Sequence, residues 1–136
     1  MARAFEDLEV PVYNSDEVAK MLMSQSKRLR ANIIQLFGQK SYGPSGLNTK
    51  YLAERVFHEK DSLKALNALV HPEVEKHFRQ WAMKQKAPYV IQENPLLFEK
   101  NKQDSYDRIV VVTAPREMRI DRVRARDGAT RSEVEA

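Results

Sequence analysis

A chain of 136 residues is long enough for one folded domain with its own core, and 42% apolar content excludes a disordered protein. The net charge of +4 points to an anionic partner, which composition alone leaves open between a nucleic acid and a nucleotide. The absence of cysteine excludes a disulfide framework and a thiolate zinc site, as fits a reducing cytoplasm. No apolar run approaches the roughly 20 residues of a membrane span, and the acids within Met1–Asp7 do not read as a signal peptide.

In chain order, Ala2, Ala4, Phe5 and Leu8 make a short apolar face at helical spacing, with no cap before it. A strand follows near 10–13. Asn14 is a good N-cap, and Glu17 three residues later makes a capping-box-like pair for a helix to about Met23. Ser26 caps a second helix, whose Leu29, Ile33, Leu36 and Phe37 share a face and which Gly38 ends. Tyr42-Gly43-Pro44-Ser45-Gly46 reads as a loop. Helices are predicted from Thr49 to Phe57 and from Asp61 to Val70. Pro72 is expected at the first position of a further helix carrying Val74, Phe78 and Trp81, with His71 at the junction.

Two segments break the helical pattern, 89–93 and 108–113. Both are rich in β-branched or aromatic residues, and Ile109-Val110-Val111-Val112 is a nearly unbroken apolar run of the kind buried on both faces of a parallel sheet. Strands separated by helices predict an α/β fold with a parallel sheet. After Pro115 a helix runs to about Asp127, and Thr130-Arg131-Ser132-Glu133 is a second capping box. Only three strands are legible, a helix opens the chain uncapped, and another is announced near its close. The expectation is therefore an incomplete fold, a fragment of a longer protein, marginal in stability and prone to associate.

Ligands of open parallel sheets bind beyond the carboxyl ends of the strands. Asn14-Ser15-Asp16 lies there after the first strand. Asp16 suits a general base that takes a proton from a hydroxyl, or a magnesium ligand, and equally a carboxylate held by a helix dipole. Glu93 and Glu99 flank the apolar Pro95-Leu96-Leu97-Phe98 after the second. Arg116, Arg119, Arg122 and Arg126 recur along the last long helix, with Arg124 and Arg131 nearby; guanidiniums suit phosphate, although Glu117, Asp121 and Asp127 interleave as on a solvated helix face. His58, His71 and His77 lack the spacing of a helical metal pair. No G-x-x-x-x-G-K-[ST] phosphate loop occurs, and there are only four glycines.

Taken together and in order, these segments resemble the dephospho-coenzyme A kinases from near Ala4 to Val134. The carrying motifs are Val10-Pro11-Val12-Tyr13-Asn14-Ser15-Asp16, similar to the family's V-I-D-A-D; Leu52-Ala53-Glu54-Arg55-Val56-Phe57; Leu69-Val70-His71-Pro72; Pro95-Leu96-Leu97-Phe98-Glu99; and Arg122 through Arg126-Asp127. The resemblance implies a single P-loop kinase-like domain fragment over 1–136, with a helical acceptor-binding insertion over about 26–86 and the start of a lid over about 115–136. It implies transfer of the γ-phosphate of ATP, with Mg2+, to the ribose 3′-hydroxyl of dephospho-coenzyme A in the cytoplasm. Asp16 is then the catalytic base; His71, Pro95, Leu96 and Glu99 surround the acceptor; Arg122 and Arg126 hold phosphates. Asn14 stands where the family has its first aspartate, and Thr49-Lys50 where it has a basic pair. In the family a strand and a Gly-rich loop precede the segment matching Ala4, and the lid continues past Ala136. These residues alone are therefore expected to be inactive. The alternatives are a basic module binding nucleic acid or a partner through 116–131, or another small-metabolite P-loop kinase. No aromatic platform interleaves the arginines, so nucleic acid is not the expected partner, and neither is a membrane.

Overall fold

The computed structural model describes residues 2–58, 60–95, 97 and 103–135. They form seven α-helices and four short strands in the order α1 (Ala2–Glu6), β1 (Val12–Asn14), α2 (Ser15–Gln25), α3 (Lys27–Phe37), β2 (Tyr42–Gly43), β3 (Gly46–Leu47), α4 (Thr49–His58), α5 (Lys60–Ala82), β4 (Ile91–Glu93), α6 (Arg116–Asp127) and α7 (Arg131–Glu135). The chain divides into two compact units, Met1–Leu96 and Leu97–Ala136, where a single domain was expected.

In the first unit β1 and β4 pair in parallel, with Val12 opposite Ile91, Tyr13 opposite Gln92 and Asn14 opposite Glu93. Ile91 N–H also donates to the Pro11 carbonyl at 2.9 Å. A parallel pair cannot close through a tight turn, and the helices α2 to α5 supply the crossover. Local chemistry sets where they begin. Asn14 Oδ1 accepts from Asp16 N–H at 3.1 Å and Glu17 N–H at 3.2 Å, the expected cap of α2. Ser26 Oγ accepts from Leu29 N–H at 3.2 Å and caps α3, which ends at Gly38 with φ 86°. The Tyr42–Gly46 loop is a small antiparallel hairpin, β2 against β3.

Tyr13, Leu29, Ile33, Phe37, Tyr42, Leu52, Val70 and Val74 form one buried cluster. Leu29, Ile33 and Phe37 repeat every four residues, one stripe of α3. Two tyrosine hydroxyls close the ends of helices: Tyr42 donates to the Met23 carbonyl at 2.7 Å and Tyr51 to the Phe37 carbonyl at 2.9 Å. Both carbonyls lie in the last turn of a helix, where no intrahelical donor remains.

Two expectations are corrected. Pro72 does not open a helix; it and His71 lie inside α5. Val70 and Val74 are buried on either side of it, so one apolar stripe carries the helix across the proline. Pro72 and Ala68 are exposed, which lets water serve the Ala68 carbonyl that proline leaves without a donor. The second correction concerns 108–113, which forms no strand. Val110, Val111 and Val112 are exposed, and no partner strand among the described residues meets their backbone. An apolar run becomes a strand only where a neighbour supplies the ladder.

In the second unit α6 ends at Gly128, in the left-handed conformation with φ 66°. Thr130 then caps α7 as its sequence promised: Thr130 N–H donates to Glu133 Oε2 at 2.7 Å, and Glu133 N–H to Thr130 Oγ1 at 3.4 Å. No helix among the described residues is long and apolar enough to cross a membrane.

Candidate functional site at the carboxyl edge of the parallel strands

Strands β1 and β4 end side by side at Asn14 and Glu93. The chain leaves β1 directly into α2, so Asp16 is the second residue of that helix and its carboxylate is exposed. It therefore lies at the carboxyl edge of a parallel pair, where open sheets take their ligands. A solvent-facing carboxylate at this edge can accept a proton or a cation.

The edge is tied together by side chains far apart in sequence. Gln92 Nε2 donates to Ser15 Oγ at 3.1 Å, joining β4 to the first residue of α2. On the strand itself Tyr13 is 2% exposed. Its ring packs on α5, with centroids 5.0 Å from Phe78, 5.1 Å from Trp81 and 5.8 Å from His77. The Tyr13 hydroxyl donates to the Val74 carbonyl at 3.2 Å and lies 3.0 Å from His77 Nδ1. A hydroxyl has one proton, so with the carbonyl served His77 Nδ1 is the donor of the second bond. Burial pushes the Tyr13 phenol up to about 12.

Of the residues singled out from sequence, Asp16 and Pro95 fall within the first unit on β1–α2 and just after β4, and His71 on α5, where it is half-buried. Leu96 and Glu99 lie outside the described residues. Ser15–Gln92 and Tyr13–His77 were not anticipated. The only signals were a polar residue inside a strand-like run and a tyrosine before the cap, neither of which names its partner.

In the second unit the arginines are largely engaged by the acids between them. Arg131 pairs bidentately with Glu117, at 2.8 and 2.9 Å, and Glu135 is within reach of both Arg131 and Arg116. Hydrogen bonding from Arg131 holds the Glu117 carboxyl below the usual range. Arg124 faces Asp121 at 3.7 Å. Arg126 grips Asp127 with two bonds of 2.7 Å. Arg119 and Arg122 are exposed and make no ion pair with the described residues. Of the two arginines assigned to phosphate, Arg126 is held by Asp127, whereas Arg122 has no ion-pair partner among the described residues.

The family model for dephospho-CoA kinase matches residues 1–136. The chain belongs to the dephospho-CoA kinase family. Its relatives include the dephospho-CoA kinase of Bacteroides fragilis, 32% identical over 98% of this chain and 66% of the relative. The dephospho-CoA kinase of Sodalis glossinidius is 35% identical over 99% of this chain and 65% of the relative. Among solved structures, TT1252 from Thermus thermophilus superposes with a TM-score of 0.84 at 34% identity, covering 98% of this chain and 68% of that one. The chain thus spans just under two thirds of these curated relatives' length, and the α/β class expected from sequence stands.

Proposed function

We propose that this chain forms the acceptor side of a P-loop dephospho-coenzyme A kinase of the cytoplasm, which moves the γ-phosphate of ATP to the ribose 3′-hydroxyl of dephospho-coenzyme A. The observation that carries the reading is the position of Asp16, exposed on the first turn of α2 at the carboxyl edge of β1 and β4, in a chain of this family. Asp16 is the general base that accepts the 3′-hydroxyl proton as the oxygen attacks phosphorus. His71, Pro95, Leu96 and Glu99 shape the acceptor site. Arg122 and Arg126 are the phosphate residues of the lid, and Arg126 must exchange Asp127 for phosphate to serve there.

The residues present fit magnesium in a limited way. Magnesium takes one or two carboxylates and completes its shell with water and nucleotide phosphates. Asp16 is such a carboxylate, and no cluster of three or more ligating side chains occurs among the described residues. The ion would supply charge neutralisation at the transferring phosphate. The fit to the ATP triphosphate is poorer, because the 136 residues hold no Gly-rich phosphate loop or its lysine. A polypeptide of these residues alone is therefore expected to transfer no phosphate at a useful rate.

Thermal melts with dephospho-coenzyme A, AMP and single-stranded DNA separate the readings. A ligand that binds only the folded chain raises the melting temperature, the more so the higher its concentration relative to Kd. Stabilisation by dephospho-coenzyme A above the other two supports the proposal. Stabilisation by AMP alone favours another metabolite kinase, and by DNA alone a nucleic-acid module; either would overturn it.

A further inference from the structure

We propose that Gln92 is a positioning residue for Asp16, acting through Ser15. The inference rests on the reading of Asp16 as the acceptor's base.

The first turn of α2 is where Asp16 must be held, and it is the part of a helix with fewest backbone bonds of its own. Two side chains hold it. Asn14 acts from within the turn, taking the N–H groups of Asp16 and Glu17. Gln92 acts from the neighbouring strand. It is in register with Tyr13, and its amide reaches two residues further along to the Ser15 hydroxyl at 3.1 Å. Ser15 and Gln92 are both half-buried, so water competes for this bond less than at an exposed site. Ser15 is the residue covalently joined to Asp16. The bond thus fixes the first residue of α2 against β4, and β4 leads directly to Pro95. Gln92 sets the carboxylate of Asp16 relative to the strand that leads into the acceptor segment, without touching the acceptor itself. Productive geometry of this kind tolerates errors of only about 0.5 Å.

Isothermal titration of the chain with dephospho-coenzyme A and with its 3′-deoxy analogue reads this directly, because the ratio of the two affinities reports the 3′-hydroxyl contact. The wild-type chain should prefer dephospho-coenzyme A by about tenfold or more, the worth of a hydrogen bond to a charged group. Asp16→Ala should abolish the preference. Gln92→Met and Ser15→Ala should each cut it to about threefold or less, and the double variant should lose no more than either single, since both remove one bond. Ser15→Thr keeps a hydroxyl and should keep the preference. Binding of the 3′-deoxy analogue should stay within about twofold of wild type in the Gln92 and Ser15 variants, which a general loosening of the fold would not allow. If Gln92→Met and Ser15→Ala retain the full preference while Asp16→Ala loses it, the inference is overturned and the role of Asp16 stands. If Asp16→Ala retains it, or the wild-type chain binds neither ligand, the reading of Asp16 fails and the inference with it.

Discussion

Ser41 is fully buried, and its hydroxyl finds no hydrogen-bond partner among the described residues. Such a group has left water without compensation, which costs about 1–3 kcal/mol. Ser41→Ala should therefore stabilise the chain by about 1 kcal/mol, read as a higher urea midpoint at unchanged slope. Tyr13 carries the opposite case, a buried hydroxyl that is fully used. Its folded pKa of about 12 lies above the value of 10.0 expected when unfolded. Its contribution is therefore fully present below pH 10 and is lost as pH rises towards 12. Alkaline melts should show wild type losing stability across that window and Tyr13→Phe losing less of it, although Tyr13→Phe starts lower at neutral pH because the Val74 carbonyl loses its donor. Tyr42 adds to the same alkaline loss, since burial raises it against the pull of Arg30. Equal alkaline slopes in the two proteins would show that the Tyr13 phenol is not held neutral by the fold.

At the scale of elements, α1 stops in a way its sequence conceals. Val10 N–H donates to the Phe5 carbonyl and Glu9 N–H to the Glu6 carbonyl, with Glu9 at φ 60°. This pair of bonds is a Schellman ending, in which the left-handed residue is ordinarily glycine. A side chain there carries a steric cost that glycine avoids. Glycine there removes about 1–2 kcal/mol of steric cost and gives back about 0.4–1 kcal/mol through a freer unfolded chain, so Glu9→Gly should raise stability by about 0.5–1 kcal/mol, measured by the same urea titration; a decrease would mean that the Glu9 side chain makes a compensating contact. Four other helix ends were legible because their chemistry is local. Asn14, Ser26, Gly38 and the Thr130/Glu133 box each act within five residues of their own position. Pro72 misled because a proline rule that holds for isolated helices yields to the buried stripe of α5 running past it. The bonds that assemble the candidate site were illegible for the converse reason. Ser15 and Gln92 are 77 positions apart, and Tyr13 and His77 are 64 apart. Nothing in either local pattern specifies such a meeting. Asp16 was legible because a cap following a strand marks the carboxyl edge by itself.

For the molecule as a whole, the parallel pair and the helices that cross between its strands reproduce the α/β class, and among the described residues that sheet is two strands wide. The run Ile109–Val112 that reads as a third strand is exposed, with Val110 72% accessible. An exposed β-branched segment with no partner strand among the described residues is a template for association. The chain should therefore self-associate with rising concentration, and Val111→Lys, a charge at its centre, should reduce the apparent mass in light scattering. An unchanged mass would place the contact elsewhere. In the first unit, the edge formed by β1, α2 and β4 is proposed to receive the ribose of dephospho-coenzyme A. Titrating this ligand into the isotopically labelled chain and following backbone amide resonances tests it most directly. The largest shifts should fall at residues 14–17 and 92–95, with a second set around His71. Shifts confined to 116–135, or none at saturating ligand, would contradict it.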